Sequence, residues 1–388
     1  MKPIVTAIAS FGMSGQVFHG PALKVLPQYK IHKILERQKN ISAVRYPEAT
    51  IVRSYNEIIN DPDVELVIVN TPDFLHFEMA QQALAAGKHV VVEKPFVKHS
   101  DHARQLIELA RDKGVILTVY QNRRLDNGYL TVKKILDQKL LGRLVEYETH
   151  FDRYRNFIQE GSWKEDGDER TGVLFNLGSH MVDQALSLFG APQAVTAHIS
   201  VLRTNGRTAD NYDIKLHYTG FKATLRCSYL TREMGPQYIL HGTEGSFLKM
   251  GTDPQEEMLK QNRLPNEPNW GSEPECDWGT INTSVGGMHI RGKVETVPGN
   301  YVAFYENLAQ AMRGEASLMV KPEEALMTIR ILEACLERTG YKKPLHLFLN
   351  LVRVAQIRLA PGISLPRYSI VRLKVAIFAL RKSARYGY

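Results

Sequence analysis

Lys88-His89-Val90-Val91-Val92-Glu93-Lys94-Pro95 is the stretch on which the reading of this chain turns. Three consecutive valines predict a strand buried on both faces, as in a parallel sheet. The run stops abruptly at a carboxylate, an ammonium and a proline. Charges in that position lie where open α/β sheets bind ligands, in the crevice beyond the carboxyl ends of the strands. Pro95 fixes its own φ and biases Lys94 toward extended backbone, which limits how the ammonium is aimed. Alone, a Glu-Lys pair at a strand end is equally a solvated ion pair, so the neighbouring segments must decide.

Upstream, residues 3–9 (PIVTAIA) read as a strand, followed by Ser10-Phe11-Gly12-Met13-Ser14-Gly15 and a helical pattern. Strand, glycine turn and helix form the context that a dinucleotide fingerprint requires. Backbone must approach a pyrophosphate there, with helix N–H groups facing it. Gly12 and Gly15 supply the close approach and the tight helix–strand packing. Ser10 stands where the first glycine of G-x-G-x-x-G would be. Residues 31–37 predict a second strand ending in Glu36 and Arg37. The acid suits the ribose hydroxyls of NAD and the arginine suits the 2′-phosphate of NADP, so both cofactors stay open.

Residues 64–70 form the next buried strand and end at Thr71-Pro72. A helix over 75–86 carries His76 in its first turn and closes at Gly87. After the Glu-Lys-Pro strand, a helix over 100–113 takes Ser100 as N-cap and Gly114 as its stop. Residues 115–120 complete the set and run into Gln121-Asn122-Arg123-Arg124. This alternation predicts a doubly wound parallel sheet over residues 1–122. Thr71, Glu93-Lys94 and Gln121-Asn122 would then converge on one edge.

Near residue 143 the periodicity changes. Val145, Tyr147, Thr149 and Phe151 alternate with Glu146, Glu148, His150 and Asp152, and residues 211–219 and 222–230 alternate similarly. These predict half-buried antiparallel strands, and hence a second α+β domain over 123–347 with a large, open, mainly antiparallel sheet. Residues 252–298, rich in Pro, Gly, Asn and Glu, read as an irregular excursion. Residues 301–312 and 322–338 read as closing helices. A broad sheet with one apolar and one mixed face suits a homodimer or homotetramer.

Residues 175–189 predict a helix in which Asn176, His180, Asp183 and Gln184 make one polar stripe between apolar flanks. A polar stripe inside burial must be satisfied or functional. Histidine exchanges a proton near neutral pH, as alcohol–ketone interconversion needs. The plainer reading is a core histidine held by Asn176 or Asp183.

Size and composition bound the rest. The 388 residues suffice for two cores, and 44% hydrophobic with 23% charged residues is ordinary for a globular protein. Cys227, Cys276 and Cys335 are scattered without metal spacing, which suits a reducing compartment and predicts no disulfide and no metal site. With no leader-like segment and no long apolar span, the expected location is cytoplasmic. The net charge of +8 does not indicate nucleic acid. Eight of the 49 basic residues lie in 349–388, a stretch without Asp or Glu, leaving 41 cations against 41 acids elsewhere. Within that tail, residues 371–382 (VRLKVAIFALRK) read as a basic amphipathic helix or as an appended segment without function.

Taken together, the glycine turn, Thr71-Pro72 with His76, Glu93-Lys94-Pro95, Gln121-Asn122-Arg123-Arg124 and Gly178-Ser179-His180 resemble the glucose-fructose oxidoreductase/inositol dehydrogenase (Gfo/Idh/MocA) family. The resemblance covers residues 1–347, including His241-Gly242-Thr243-Glu244-Gly245-Ser246 and Pro298-Gly299-Asn300-Tyr301, and is nearest the scyllo-inositol dehydrogenase branch. It implies hydride transfer between NAD or NADP and a secondary alcohol of a polyol or sugar. It places the cofactor against Ser10, Gly12, Met13, Ser14, Gly15, Glu36, Arg37, Thr71, Pro72, His76, Glu93, Lys94, Gln121 and Asn122. Lys94 would polarise the reacting oxygen, and His180 would be the general acid/base. Asn176 stands where the family has a carboxylate; an amide can hold the imidazole but cannot raise its basicity through charge. Arg124, Asp126 and Asp183 are candidate substrate contacts. A non-catalytic dinucleotide-binding sensor is the alternative, with NAD-dependent glycoside cleavage as a third reading.

Overall fold

The computed structural model of the chain describes residues 2–165 and 168–337. The basic tail, including the expected amphipathic helix at 371–382, lies outside the described residues.

Six strands form the first sheet: β1 (Ile4–Ile8), β2 (Tyr29–Leu35), β3 (Thr50–Val52), β4 (Leu66–Val69), β5 (His89–Val92) and β6 (Leu117–Val119). Their order is β3-β2-β1-β4-β5-β6, and every pairing is parallel. The strand order reverses between β1 and β4, so a crevice opens there beyond the carboxyl ends. Val90, Val91 and Val92 are fully buried, as are all four residues of β4. Burying each such valine is worth about 1.5–3 kcal/mol, which fixes the strand that presents Glu93 and Lys94. The Lys94–Pro95 peptide bond is cis.

The helices of this half are α1 (Gly20–Lys24), α2 (Ser42–Arg45), α3 (Asn56–Ile59), α4 (His76–Ala85) and α5 (Ser100–Lys113). A π-helical turn, Gly15–His19, leads into α1. Gly114 ends α5 with φ of 65°, a conformation that favours glycine. Ser100 proves to be the first helical residue, not the cap; its N–H donates to Glu333 Oε1 at 3.0 Å.

The second half adds α6 (Asn127–Asp137), α7 (Ser179–Phe189), α8 (Gln255–Lys260), α9 (Val302–Met312) and α10 (Pro322–Leu336). Its strands are β7 (Leu144–His150), β8 (Ala194–Ser200), β9 (Asn211–Tyr218), β10 (Phe221–Ser228), β11 (Tyr238–Gly242), β12 (Gly245–Lys249), β13 (Gly279–Val285) and β14 (Met288–Val294). They form one sheet of order β14-β13-β12-β11-β7-β10-β9-β8, antiparallel except between β7 and β10. Tyr212, Ile214 and Leu216 of β9 are buried while their neighbours are half-buried, the mark of a sheet covered on one face. Helices α7 and α10 supply the cover.

Two expectations fail here. Residues 252–298 are not irregular throughout, because β13 and β14 make an edge hairpin within them. Its turn, Gly286-Gly287, has φ of 58° and 80°. Glycine pairs of this kind are a hairpin signal, but the strands are too exposed to show an apolar alternation. Nor is the 175–189 helix regular: Leu174–Gly178 is a π-helical turn, and α7 starts only at Ser179. Among the described residues, no helix is long and apolar enough to cross a membrane.

Candidate active site

The carboxyl ends of β1, β4 and β5 open onto a cleft of about 570 Å³, lined on its other side by the segments that follow β7, β8 and β10, by α8 and by the start of α7. Ser10, Gly12, Met13 and Ser14 line one end. A side chain at Gly15 would strike Ser10 O at 2.5 Å, so this glycine is required by packing. A side chain at Gly12 would meet nothing nearer than Ser10 Oγ at 3.6 Å, so packing leaves the space over that backbone open. The buried Asn70 Oδ1 and Thr71 Oγ1, also in the lining, have no hydrogen-bond partner among the described residues. An open backbone turn ahead of a helix, with unused polar atoms beside it, fits a dinucleotide phosphate.

Lys94 reaches across the cleft. Its Nζ donates to Asn176 Oδ1 at 3.0 Å and to Asn176 O at 3.1 Å. Beneath it lies a buried chain: the Tyr305 hydroxyl meets His19 Nδ1 at 2.6 Å, and His19 Nε2 meets Glu93 Oε1 at 3.0 Å. The Lys94 N–H donates to Glu93 Oε2 at 2.9 Å. Burial opposes the charge on Glu93, but hydrogen bonding and charge from His19 and the nearby Lys94 outweigh it and hold its carboxyl below the usual range. Enclosure pushes the Lys94 ammonium down to about 8, against the pull of Glu93 and with help from Lys164 and Arg123.

His180, on α7, is buried in the lining of the same cleft, and its Nδ1 has no hydrogen-bond partner among the described residues. Burial, followed by the charges of Lys94, Arg123 and Arg153, holds its pKa well below the ordinary histidine value. The imidazole is therefore neutral at pH 7. Neither partner expected from the spacing holds it. Asn176 is engaged by Lys94, and Asp183 accepts two hydrogen bonds of 2.7 Å from Arg124. The π turn adds a residue between Asn176 and the regular part of α7, so the predicted stripe divides. Gln184 also turns to structural use, donating to Arg123 O at 2.6 Å and accepting from the Tyr238 hydroxyl.

Pro72, His76, Glu93 and Asn122 join Thr71 and Lys94 in the lining. Both ring nitrogens of His76 meet backbone carbonyls, of Pro95 and Thr71, each at 2.9 Å, so it braces two turns against each other. Gln121 is buried outside the lining.

The candidate substrate contacts Arg124, Asp126 and Asp183 are corrected. None lines the cleft. Arg124 is clamped between Asp183 and Glu324, and Asp126 is buried against Arg123 and the Tyr301 hydroxyl. The residue after Asn122 that faces the cleft is Arg123, paired at 2.8 Å with Glu256. Glu36 is corrected as well. Its carboxylate accepts from the N–H groups of Ile41 and Ser42 and from Ser42 Oγ, which caps the start of α2. Arg37 beside it is exposed.

Sequence reasoning missed the basic wall. Arg153 and Arg155 line the cleft with Lys164 and Tyr229. The signal was present: Tyr147, Thr149 and Phe151 mark the buried face of β7, and two further steps of the same alternation reach Arg153 and Arg155.

Two family models match the chain: "Oxidoreductase family, NAD-binding Rossmann fold" over residues 4–121 and "Oxidoreductase family, C-terminal alpha/beta domain" over residues 133–347. The scyllo-inositol 2-dehydrogenase (NADP(+)) IolW of Bacillus subtilis is 40% identical over 350 residues, spanning 89% of this chain and 96% of its own. The uncharacterized oxidoreductase YdgJ of Escherichia coli is 33% identical across 89% of this chain and 99% of its own. A crystal structure of an oxidoreductase from Bacillus cereus superposes with a TM-score of 0.81 at 34% identity, covering 88% of this chain and 98% of that one. With the glycine turn, the parallel strand order and the open sheet already in place, these matches make the chain a member of the Gfo/Idh/MocA family of NAD(P)-dependent oxidoreductases.

Proposed function

We propose that the cleft interconverts a secondary alcohol and a ketone on a cyclitol or sugar, with Lys94 and His180 as its catalytic residues. One observation carries this reading: an ammonium anchored on Asn176 and a neutral imidazole without a partner at Nδ1 both line the cleft that also contains the Gly12 turn. Ser10, Gly12, Met13, Ser14, Thr71, Pro72 and Asn122 would hold the dinucleotide, whose nicotinamide supplies or accepts the hydride when bound. The Lys94 ammonium hydrogen-bonds the reacting oxygen and stabilises the negative charge that develops there. His180, neutral at physiological pH, takes the hydroxyl proton in oxidation and returns it in reduction. Asn176 and Glu93 hold the lysine from its two ends, so little reorganisation accompanies the reaction.

NADP(H) is the proposed cofactor. The Glu36 carboxylate already accepts three hydrogen bonds, leaving exposed Arg37 as the group at that strand end suited to a 2′-phosphate. The name of IolW carries both NADP(+) and scyllo-inositol, which supports a cyclitol framework for the substrate. Self-association is proposed through the outer face of the second sheet, where Ile239 and Leu248 pair among charged neighbours, and light scattering tests it.

Absorbance at the nicotinamide band across inosose, inositol and aldose panels tests the catalytic reading. Net oxidation or reduction, lost in His180→Ala and Lys94→Ala, is expected. Sugar release without net redox change would indicate glycoside cleavage, and binding with neither reaction would indicate a sensor; both results overturn the reading.

A further inference from the structure

We propose that the substrate carries an anionic group, a carboxylate or a phosphate, which Arg153 and Arg155 hold at the second-sheet wall of the cleft. The inference rests on the hydride-transfer reading above and specifies its substrate class.

The two arginines follow β7, Arg153 half-buried and Arg155 exposed. The Arg153 N–H donates to Ser228 O at 2.8 Å and the Arg155 N–H to Tyr229 O at 2.7 Å, so their backbone is tied to the end of β10. Arg153 lies over the Phe151 ring at 5.2 Å and Arg155 over the Tyr229 ring at 5.7 Å. Aromatic faces steady a guanidinium without neutralising it. Neither arginine makes an ion pair among the described residues.

Three of the four carboxylates in the cleft lining are already engaged; the fourth, Asp73, follows β4 on the parallel-sheet side, 3.8 Å from Lys98, and its Oδ1 has no hydrogen-bond partner among the described residues. Glu256 is bound at 2.8 Å by both Arg123 and Lys260, Glu165 at 2.8 Å by Arg203, and Glu93 at 3.0 Å by His19. The wall therefore holds a surplus of donors. A guanidinium only donates, and a hydroxyl must also place its own proton on an acceptor. A neutral polyol would leave this wall poorly matched, whereas a carboxylate or phosphate accepts two parallel bonds from each guanidinium. Burial and the neighbouring Arg155 and Arg123 charges push Arg153 below its ordinary pKa, against the opposing pull of Tyr229 and Glu256.

The test uses the full chain with NADPH. Neutral ketoses and inososes are compared with their carboxylate analogues (uronates) in one arm and their phosphate monoesters in another. One anionic series is expected to exceed its neutral parents in kcat/KM by roughly 10- to 100-fold, and the series that does so identifies the group. Arg153→Gln and Arg155→Gln should each raise KM for that series by about 10-fold, with KM for NADPH unchanged. Inorganic phosphate should compete with the substrate in the wild type and compete more weakly in either variant. Equal turnover of neutral and anionic compounds would overturn the proposal while leaving hydride transfer intact. A raised KM for NADPH would place the arginines on the cofactor and also overturn it. If no compound is turned over, the hydride-transfer reading fails. Calorimetric phosphate binding then decides the anion site by its presence in the wild type and loss in Arg155→Gln, and equal binding by both overturns it.

Discussion

The two walls of the cleft treat their charged residues in opposite ways. On the parallel-sheet side, several ionisable groups at the strand ends are held by the fold: Glu36 caps α2, Glu93 is bound by His19, and His76 bridges two carbonyls. Asn70 Oδ1 and Thr71 Oγ1 beside them stay unpaired among the described residues. On the other side, Arg153 and Arg155 are steadied by rings alone. On the first wall Glu36, Glu93 and His76 are satisfied internally, which suits it to position a cofactor and Lys94. The second keeps unmatched charge, which is what selection of a ligand requires. A buried polar network braces only when complete, and the unpaired polar atoms on each wall mark where a ligand would bind.

Substitutions can break or sharpen this contrast. The largest expected effect is at the one strand-end charge of the first wall that also faces substrate: Lys94→Ala should cut kcat by roughly 10²- to 10⁴-fold with dinucleotide binding retained, measured by steady-state kinetics and cofactor fluorescence. Next is Arg124→Ala. It strands Asp183 in the core and should destabilise the fold by about 3–5 kcal/mol in denaturant titration, while activity per folded molecule persists. Loss of specific activity instead would return Arg124 to the site.

The pH profile provides a smaller, directional test. Polarisation needs the ammonium, so turnover should fall as pH rises through the Lys94 value of about 8. Asn176→Asp would place a negative charge on the same Nζ contact. An opposite charge favours the protonated amine, so the falling limb should move to higher pH by about 1–2 units. An unmoved limb would separate Asn176 from Lys94 in function. Smallest is Gly287→Ala in the edge hairpin, where φ of 80° disfavours a side chain; a loss of about 1 kcal/mol or less is expected, with kinetics unaltered.

How far the molecule could be read from its residues follows the same division. Consecutive valines ending in Glu-Lys-Pro, set among alternating strands and helices, read as a doubly covered strand with charges at its mouth, so the parallel half and the position of Lys94 in the cleft were legible. In the half-covered sheet, alternation identifies strands but does not show how far a face extends past the last apolar residue, and Arg153 was overlooked. Adjacent residues proved hardest. Arg123 and Arg124 are equivalent in composition, yet one faces the cleft and the other clamps Asp183. Only the direction in which the chain leaves β6 separates them. Spacing along α7 misled for a different reason, since a π turn leaves no compositional trace.

That turn also sets how the molecule responds to changes in chain length. An added residue rotates everything before it by about 100° relative to an unbroken helix. At Leu174–Gly178 this uncouples two settings along a single rod: its footing, where the guanidinium clamp grips Asp183, and its tip, where Asn176 meets the amine. Deleting one residue there would leave the footing in register and swing the tip away. Residue count at this bend is thus a coarse control on the chemistry, and side-chain identity is the fine one.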